Sequence, residues 1–285
     1  MICRKIIRRI LKHLPQAPLF DRLHNLIFFV YSNHRLPKKE GKLFNDYLYF
    51  LKNSQDITDI YRQVTSDKIL VKDYVASKIG ANYTPKTYGI YSSVDEVDLN
   101  KIEFSCVLKP AHGNGSVIFC SADKQSLTGS ERETLQAALK TSPYLTQRER
   151  NYMHLRKRLI CEEMLPAGKY IKDYKVFCYN GVAKAIQVNS GRQSTTTMNI
   201  YDRNWVPIDI YYNSVRGSWE DKPKNFDELL TFAEILSNDF EFVRVDFFLS
   251  GNRIFVGELT HLPNSTHGKF GCIDDEKKFS NIIFS

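Results

Sequence analysis

In VRVDFFLSGNRIFVGELT, residues 243–260, two carboxylates stand where apolar side chains are expected. Asp246 lies in one apolar run and Glu258 in the next, with the turn signal Ser250-Gly251-Asn252 between them. A turn with an odd number of residues puts both acids on one face and Val243, Val245, Phe247 and Leu249 on the other. A slip of one residue separates the acids again. Gly251 suits such a turn, because it can take positive φ in a bulge. Two carboxylates on one face repel each other unless a cation lies between them. Mg2+ takes one or two carboxylates together with phosphate oxygens and water. A salt bridge to Arg244, opposite Glu258 in that register, satisfies the pair without a metal.

A second constellation is VLKPAHGNGSVIFC, residues 107–120. A strand ends in Lys109 and a glycine-rich turn feeds the next strand. Gly113 and Gly115 let backbone N–H groups approach phosphate closely, and Lys109 supplies a fixed cation. The spacing is neither GxxxxGK[ST] nor GxGxxG, and a GxG hairpin loop taken alone is more often only a turn.

The elements that must position these groups follow from periodicity. Residues 2–14, ICRKIIRRILKHL, repeat apolar positions at helical spacing with a basic opposite face, closed by Pro15. Such a helix lies on an anionic membrane surface or docks on the protein with a solvated basic face. Residues 36–42 read as a linker, 43–64 as helical, and 68–79 as a helix capped by Asp67 and stopped by Gly80. Strands are expected over 86–91, 104–109, 117–121 and 158–165, with helices after Ser93 and over 130–140. Residues 174–181 and 183–189 form a hairpin about Asn180-Gly181, and 226–239 form an amphipathic helix. Mixed strands and helices with several hairpins argue an α+β fold.

The 285 residues, 42% hydrophobic and 25% charged, suffice for one large domain or two smaller ones. The formal net charge of +8 favours anionic partners without choosing among them. Six cysteines, at 3, 106, 120, 161, 178 and 272, contain no CxxC pair and read as buried free thiols of a reducing cytoplasm. No run reaches the roughly 20 apolar residues of a membrane span. No HExxH spacing supports zinc, and no RNA-recognition signature supports nucleic acid. His112, in the glycine loop, and His261 and His267, beside the acidic hairpin, read as polar loop residues; the latter two could contact an acceptor.

Strand–Lys, glycine loop, acidic strand and late Asp/Glu hairpin, in that order, resemble the ATP-grasp enzymes. The chain is more closely similar to the TupA-like ATP-grasp family, named for teichuronopeptide biosynthesis and linked to cell-surface polysaccharides. The matching stretches are SDKILVKDYV (66–75), VLKPAHGNGSVIFC (107–120), ICEEML (160–165), KDYKVFCYNG (172–181), IYDRNW (200–205) and VRVDFF…VGELT (243–260). The resemblance implies a helical segment over 1–65 and an ATP-grasp domain over 66–285. That domain would hold a glycine-rich lid subdomain at about 104–165 and a metal-binding subdomain at about 166–285.

By the same resemblance, Lys68 and Lys109 hold the α- and β-phosphates of ATP, and Gly113, Gly115 and Ser116 form the lid. Glu162, Glu163, Met164 and Leu165 form the hinge that meets adenine, with one of the acids able to take its amino group. Asp173 and Lys175 hold ribose or phosphate, and Asp246 and Glu258 bind Mg2+. Thr260 stands where the wider superfamily often has Asn, which leaves Asn264 or water as the third ligand. Arg192 is the candidate for the acyl phosphate, with Arg244 and Arg216 behind it.

The implied activity is an ADP-forming carboxylate–amine ligase that needs no side-chain nucleophile. Its expected partners are ATP, a uronic-acid-containing sugar or polysaccharide precursor, and an amino acid or amine. The expected location is cytoplasmic, with residues 2–14 suited to peripheral contact at the inner face of the plasma membrane. The alternatives are a sugar-hydroxyl kinase on the same fold and a binding module for nucleotide or polysaccharide without turnover.

Overall fold

The computed structural model describes residue 11 and residues 14–40, 43–166, 172–190 and 197–285. The helices at its start are α1 (Pro18–Asn33), α2 (Phe44–Asn53), α3 (Ile60–Ser66) and α4 (Leu70–Lys78). The continuous helix expected over 43–64 is broken. The chain leaves α2 at Ser54, makes one tight turn over Asp56–Thr58, and restarts where the Asp59 side chain accepts the Tyr61 N–H at 2.8 Å. Asp67 does cap the next helix, accepting the N–H groups of Ile69 and Leu70 at 2.8 and 3.2 Å. The basic helix expected over 2–14 falls almost entirely outside the described residues.

Next come β1 (Thr87–Tyr91), β2 (Cys106–Pro110), β3 (Ile118–Cys120), α5 (Gly129–Leu139), α6 (Pro143–Gln147) and β4 (Leu159–Glu163). The helix expected after Ser93 is a single turn, Val94–Glu96. These strands form an antiparallel sheet in the order β1-β4-β2-β3. On one face Cys106, Leu108, Cys120, Leu159 and Cys161 pack against Leu135 of α5. Strand alternation sends Val107, Lys109 and Glu162 to the other face, toward the second sheet. Cys106, Cys120, Cys161 and Cys178 are buried free thiols as expected, whereas Cys272 is exposed.

The second sheet comprises β5 (Asp173–Tyr179), β6 (Val182–Ser190), β7 (Thr197–Asp202), β8 (Phe242–Ser250) and β9 (Arg253–Thr260), in the order β7-β6-β5-β8-β9. The helices α7 (Phe226–Ser237) and α8 (Ile273–Ile283) flank it. Asn180 and Gly181 take φ of 49° and 73°, the geometry of a two-residue hairpin, and set the β5–β6 register at the turn, which a bulge between Phe177 and Cys178 then shifts by one. One face, with Tyr174, Val176, Ile186, Val188, Val243, Val245 and Phe247, is covered by α7 and α4. The other face is divided. Phe177, Ala185, Ile200 and Phe242 pack under α2 and α8, whose Phe44, Leu48, Phe279 and Ile283 are fully buried. The remaining half, toward Asp173 and Phe248, carries polar side chains and looks into a cleft between the sheets. No helix among the described residues is long and apolar enough to cross a membrane.

Candidate active site

The β8–β9 hairpin brings Asp246 and Glu258 directly opposite each other, by a different route from an odd turn. The turn has two residues, since Ser250 pairs with Arg253. That even turn alone would set Glu258 opposite Val245, on the core face. Between Asp246 and Phe247 the register shifts by one, so Gly257 is the extra residue of a bulge. A Cβ on Gly257 would meet the Phe248 ring at 2.6 Å, so glycine is needed for this close approach.

Arg244 lies opposite Thr260, not opposite Glu258, but its Nη2 still makes the expected ion pair with Glu258, at 3.8 Å. Its Nε and Nη2 donate to the two oxygens of Asp246 at 2.6 and 2.7 Å. It also donates to Thr260 Oγ1 at 3.2 Å, and Thr260 in turn donates to Glu258 at 3.1 Å. Lys175, opposite Asp246 on β5, reaches Asp246 at 2.5 Å and Asp173 at 2.7 Å. Lys68 Nζ donates to the Gly113 carbonyl at 2.7 Å and lies 3.5 Å from Glu258. Three carboxylates, Asp173, Asp246 and Glu258, are thus matched by Lys68, Lys175 and Arg244. Burial pushes the Asp246 carboxyl up, against the pull of Arg244 and Lys175. Burial acts the same way on Glu258, whose side chain is 30% exposed, but Lys68, Lys175 and Arg244 outweigh it and hold the carboxyl at about 2.

Across the cleft, Glu162 is 4% exposed, and its two oxygens are taken by Lys72, at 2.7 Å, and Lys109. Burial would raise its pKa, but Lys109 and Lys72 lower it. Its carboxylate therefore holds lysines and is not free for an adenine amino group. The backbone N–H groups of Glu163 and Met164 donate to the carbonyls of Lys86 and Ser105 at 2.8 and 3.2 Å. Beside them a cavity of about 140 Å³ opens between the sheets, walled by Val107, Phe119, Met164, Leu165 and Phe248 with Lys109 at its edge. An apolar slot with a lysine at one end suits a planar base whose phosphates point along the cleft.

The glycine loop is rooted by His112, 1% exposed. Its Nδ1 accepts the Arg158 N–H at 3.3 Å, so Nε2 carries the proton and donates to the carbonyls of Thr141 and Ala138 at 3.1 and 3.3 Å. Beyond it Gly115 and Ser116 take φ of 77° and 53°, and nothing lies within 4 Å of a Cβ built on Gly115. The Lys68 N–H donates to the Ala111 carbonyl at 3.0 Å, so the loop and Lys68 are placed together.

Other expected residues are placed elsewhere. His261 is locked in the core between Arg62 and Thr65, at 3.0 and 2.8 Å, and does not face an acceptor. Asn264 donates its amide N–H to Tyr212 Oη at 2.8 Å. Arg216 makes an exposed ion pair with Asp209 and lies 4.9 Å over Trp219. Arg192 lies outside the described residues. Lys72 was not expected at the site; its four-residue spacing from Lys68 was the available signal. Phe248 was not singled out either, although its spacing of two residues from Asp246 puts both on the cleft face by strand alternation.

Among the described residues no group of three or more His, Cys, Asp or Glu side chains could hold a metal ion. Asp246 and Glu258 nonetheless fit Mg2+, which accepts two protein carboxylates when phosphate and water complete its shell.

Two facing antiparallel sheets, with lysines and a glycine loop on one side and paired acids on the other, define an ATP-grasp protein. The chain belongs to the TupA-like ATP-grasp family, whose model matches residues 47–278. No curated protein matches it. Among solved structures it is similar to D-alanine–D-alanine ligase from Bacillus anthracis complexed with ATP, at 13% identity and a TM-score of 0.46, covering 78% of this chain and 65% of that one. It is also similar to L-amino acid ligase from Bacillus licheniformis, at 10% identity and a TM-score of 0.46, covering 84% and 54%. The chain therefore spans less than two thirds of the length of either.

Proposed function

We propose that the protein is an ADP-forming, Mg2+-dependent carboxylate–amine ligase that joins an amino acid or small amine to a uronic acid of a surface polysaccharide or its precursor. The observation that carries this reading is the pairing of Asp246 with Glu258 on the cleft face, opposite Lys109 and beside Lys68. Lys68 and Lys109 would meet the α- and β-phosphates, and Gly113, Gly115 and Ser116 would close over them. The apolar slot at Met164 and Leu165 would take adenine, with Glu163 at its rim and Glu162 orienting Lys109. Asp173 and Lys175 would meet ribose or phosphate.

Mg2+, held by Asp246 and Glu258, would neutralise phosphate charge when bound. Arg244 orients Asp246 and opposes the rise that burial imposes on its carboxyl, and Arg192 is proposed for the acyl phosphate. The acid's carboxylate oxygen attacks the γ-phosphorus and ADP leaves. The amine then attacks the acyl carbon, phosphate departs, and the amine loses a proton. Positioning and charge neutralisation supply the catalysis, so no side-chain nucleophile is required.

An ATP-consuming reaction of this kind belongs on the cytoplasmic side. We assign residues 2–14 to peripheral contact with anionic lipid, which sedimentation with anionic vesicles tests against a chain lacking residues 1–14.

The test of the reaction is ADP and phosphate release from MgATP with uronic acids and pooled amino acids, supplied separately and together. Release that needs both, with a new amide mass, is the expected result. Release with a sugar alone would make the protein a kinase, and nucleotide binding without release from any pair would count against catalysis.

A further inference from the structure

Away from the cleft, a cavity of about 690 Å³ lies between α1, the segment 140–148 and His267. That volume falls within the roughly 300–1,000 Å³ of small-molecule sites. Its chemistry is unlike that of the nucleotide slot. Gln16, Thr141, Thr146 and Gln147 bring amides and hydroxyls to the wall. Phe28 forms an aromatic face between His24 and His267, at ring separations of 4.6 and 5.5 Å.

His24 is 3% exposed, and its Nδ1 has no hydrogen-bond partner among the described residues. Burial and the charge of Lys52 lower its pKa to about 4, so the imidazole is neutral, with one donor and one acceptor. Arg148 is engaged by Asp21 at 3.1 Å and by the carbonyl of Leu14 at 2.7 Å. Lys140 is left as the cation of the wall, and no carboxylate lines the cavity among the described residues. Neutral hydrogen-bonding groups, an aromatic face and one ammonium match a polyhydroxylated ring that carries a single negative charge.

A buried side chain beside this cavity also interacts with the cleft. Lys52 donates to Ser265 Oγ at 2.8 Å, and Ser265 lies between Asn264 and the cavity residue His267. Glu149, next to Arg148 in sequence, is close enough to Glu258 for the two charges to interact.

We infer that this cavity binds a uronic-acid unit of an oligosaccharide, outside the phosphate cleft, and so holds the glycan of the acceptor. The acceptor role rests on the ligase reading, whereas the binding can be tested without turnover. Digalacturonate and trigalacturonate are titrated calorimetrically into the full chain, alongside neutral galacto-oligosaccharides and glucose 1-phosphate. The same titrations are made with Thr146→Trp, which fills the cavity from an exposed position, and with Lys140→Ala.

We expect the galacturonates to bind more tightly than the neutral sugars. Thr146→Trp should abolish that binding and Lys140→Ala should weaken it about tenfold, with nucleotide affinity unchanged in both. Absent galacturonate binding, equal binding of the neutral sugars, tighter binding of the sugar phosphate, or equal affinity in both variants would each overturn the inference. None of these outcomes bears on ADP release, so the ligase reading stands or falls separately.

Discussion

Glu162→Gln tests whether the cleft is built on charge pairing. In the parent, one carboxylate with a side chain 5% exposed serves Lys72 and Lys109, whose side chains are 15% and 17% exposed. The substitution keeps the shape and removes the charge, leaving two ammonium groups facing each other. Breaking a buried pair by removing one partner costs about 3–5 kcal/mol. Both lysines retain some contact with water, so we expect the lower end, about 3 kcal/mol at pH 7. Because the folded pKa of Glu162 is depressed, its contribution is complete above the ordinary carboxylate value and is lost as pH falls through the lowered one. Chemical denaturation of parent and variant at pH 7 and in acid measures this, and the difference should shrink as acid protonates the parent. A cycle with Lys72→Met adds a second check. Removing one ammonium relieves the repulsion, so the double variant should recover at least 1 kcal/mol relative to additivity. MgATP should raise the unfolding midpoint of Glu162→Gln by more than that of the parent, since phosphate oxygens replace the missing counter-charge. A loss under about 1 kcal/mol, or an additive cycle, would refute the argument that this carboxylate holds the lysines.

Glu258→Gln should lower turnover more than about a hundredfold and also destabilise, by up to about 3 kcal/mol at pH 7, because a carboxyl held at about 2 stabilises the fold wherever it is ionised. Asp246→Asn should abolish turnover and also destabilise, by about 3 kcal/mol, because Arg244 and Lys175 lose their counter-charge. Full activity in both would remove the metal assignment. Gly257→Ala, whose Cβ would meet Phe248 at 2.6 Å, should cost about 1–3 kcal/mol and raise the KM for ATP, as steady-state kinetics and denaturation would show. His24, ordinarily near 6.5 and lowered to about 4, makes the parent lose about 3 kcal/mol as pH falls across that interval, because the unfolded chain takes the proton first. His24→Gln should remove that part of the acid slope, and an unchanged slope would contradict the burial argument.

Period-two and period-3.6 patterns located most elements, because burial of one face writes itself into the sequence. The Asn180-Gly181 hairpin and the Asp67 cap were legible for the further reason that their backbone geometry demands particular residue types. The break at Ser54–Asp59 was not legible, since apolar residues continue through it at helical spacing and only tertiary packing decides where the helix stops. The register at the acids was open for a related reason. A bulge shifts alternation by one without changing composition, and Gly257 reads the same as any strand glycine until Phe248 lies against it.

The same limit applies to charge. Asp246, Glu258 and Glu162 all stand out as acids in apolar strands, but a strand pattern does not say which of them faces lysine alone and which faces open cleft. The difference lies in what covers each one. Glu162 is roofed by its sheet and held from both sides by Lys72 and Lys109, whereas the Glu258 side chain keeps 30% of its surface exposed. A carboxylate closed in by two ammonium groups orients them and has no room for a metal. One that is partly exposed and beside an acid across the strand pair can exchange a lysine for a metal ion when phosphate arrives. The divided face of the second sheet makes this possible. Apolar packing of Phe177 and Phe242 under α2 and α8 fixes the strands at one end, so the polar end need not be covered to stay in register.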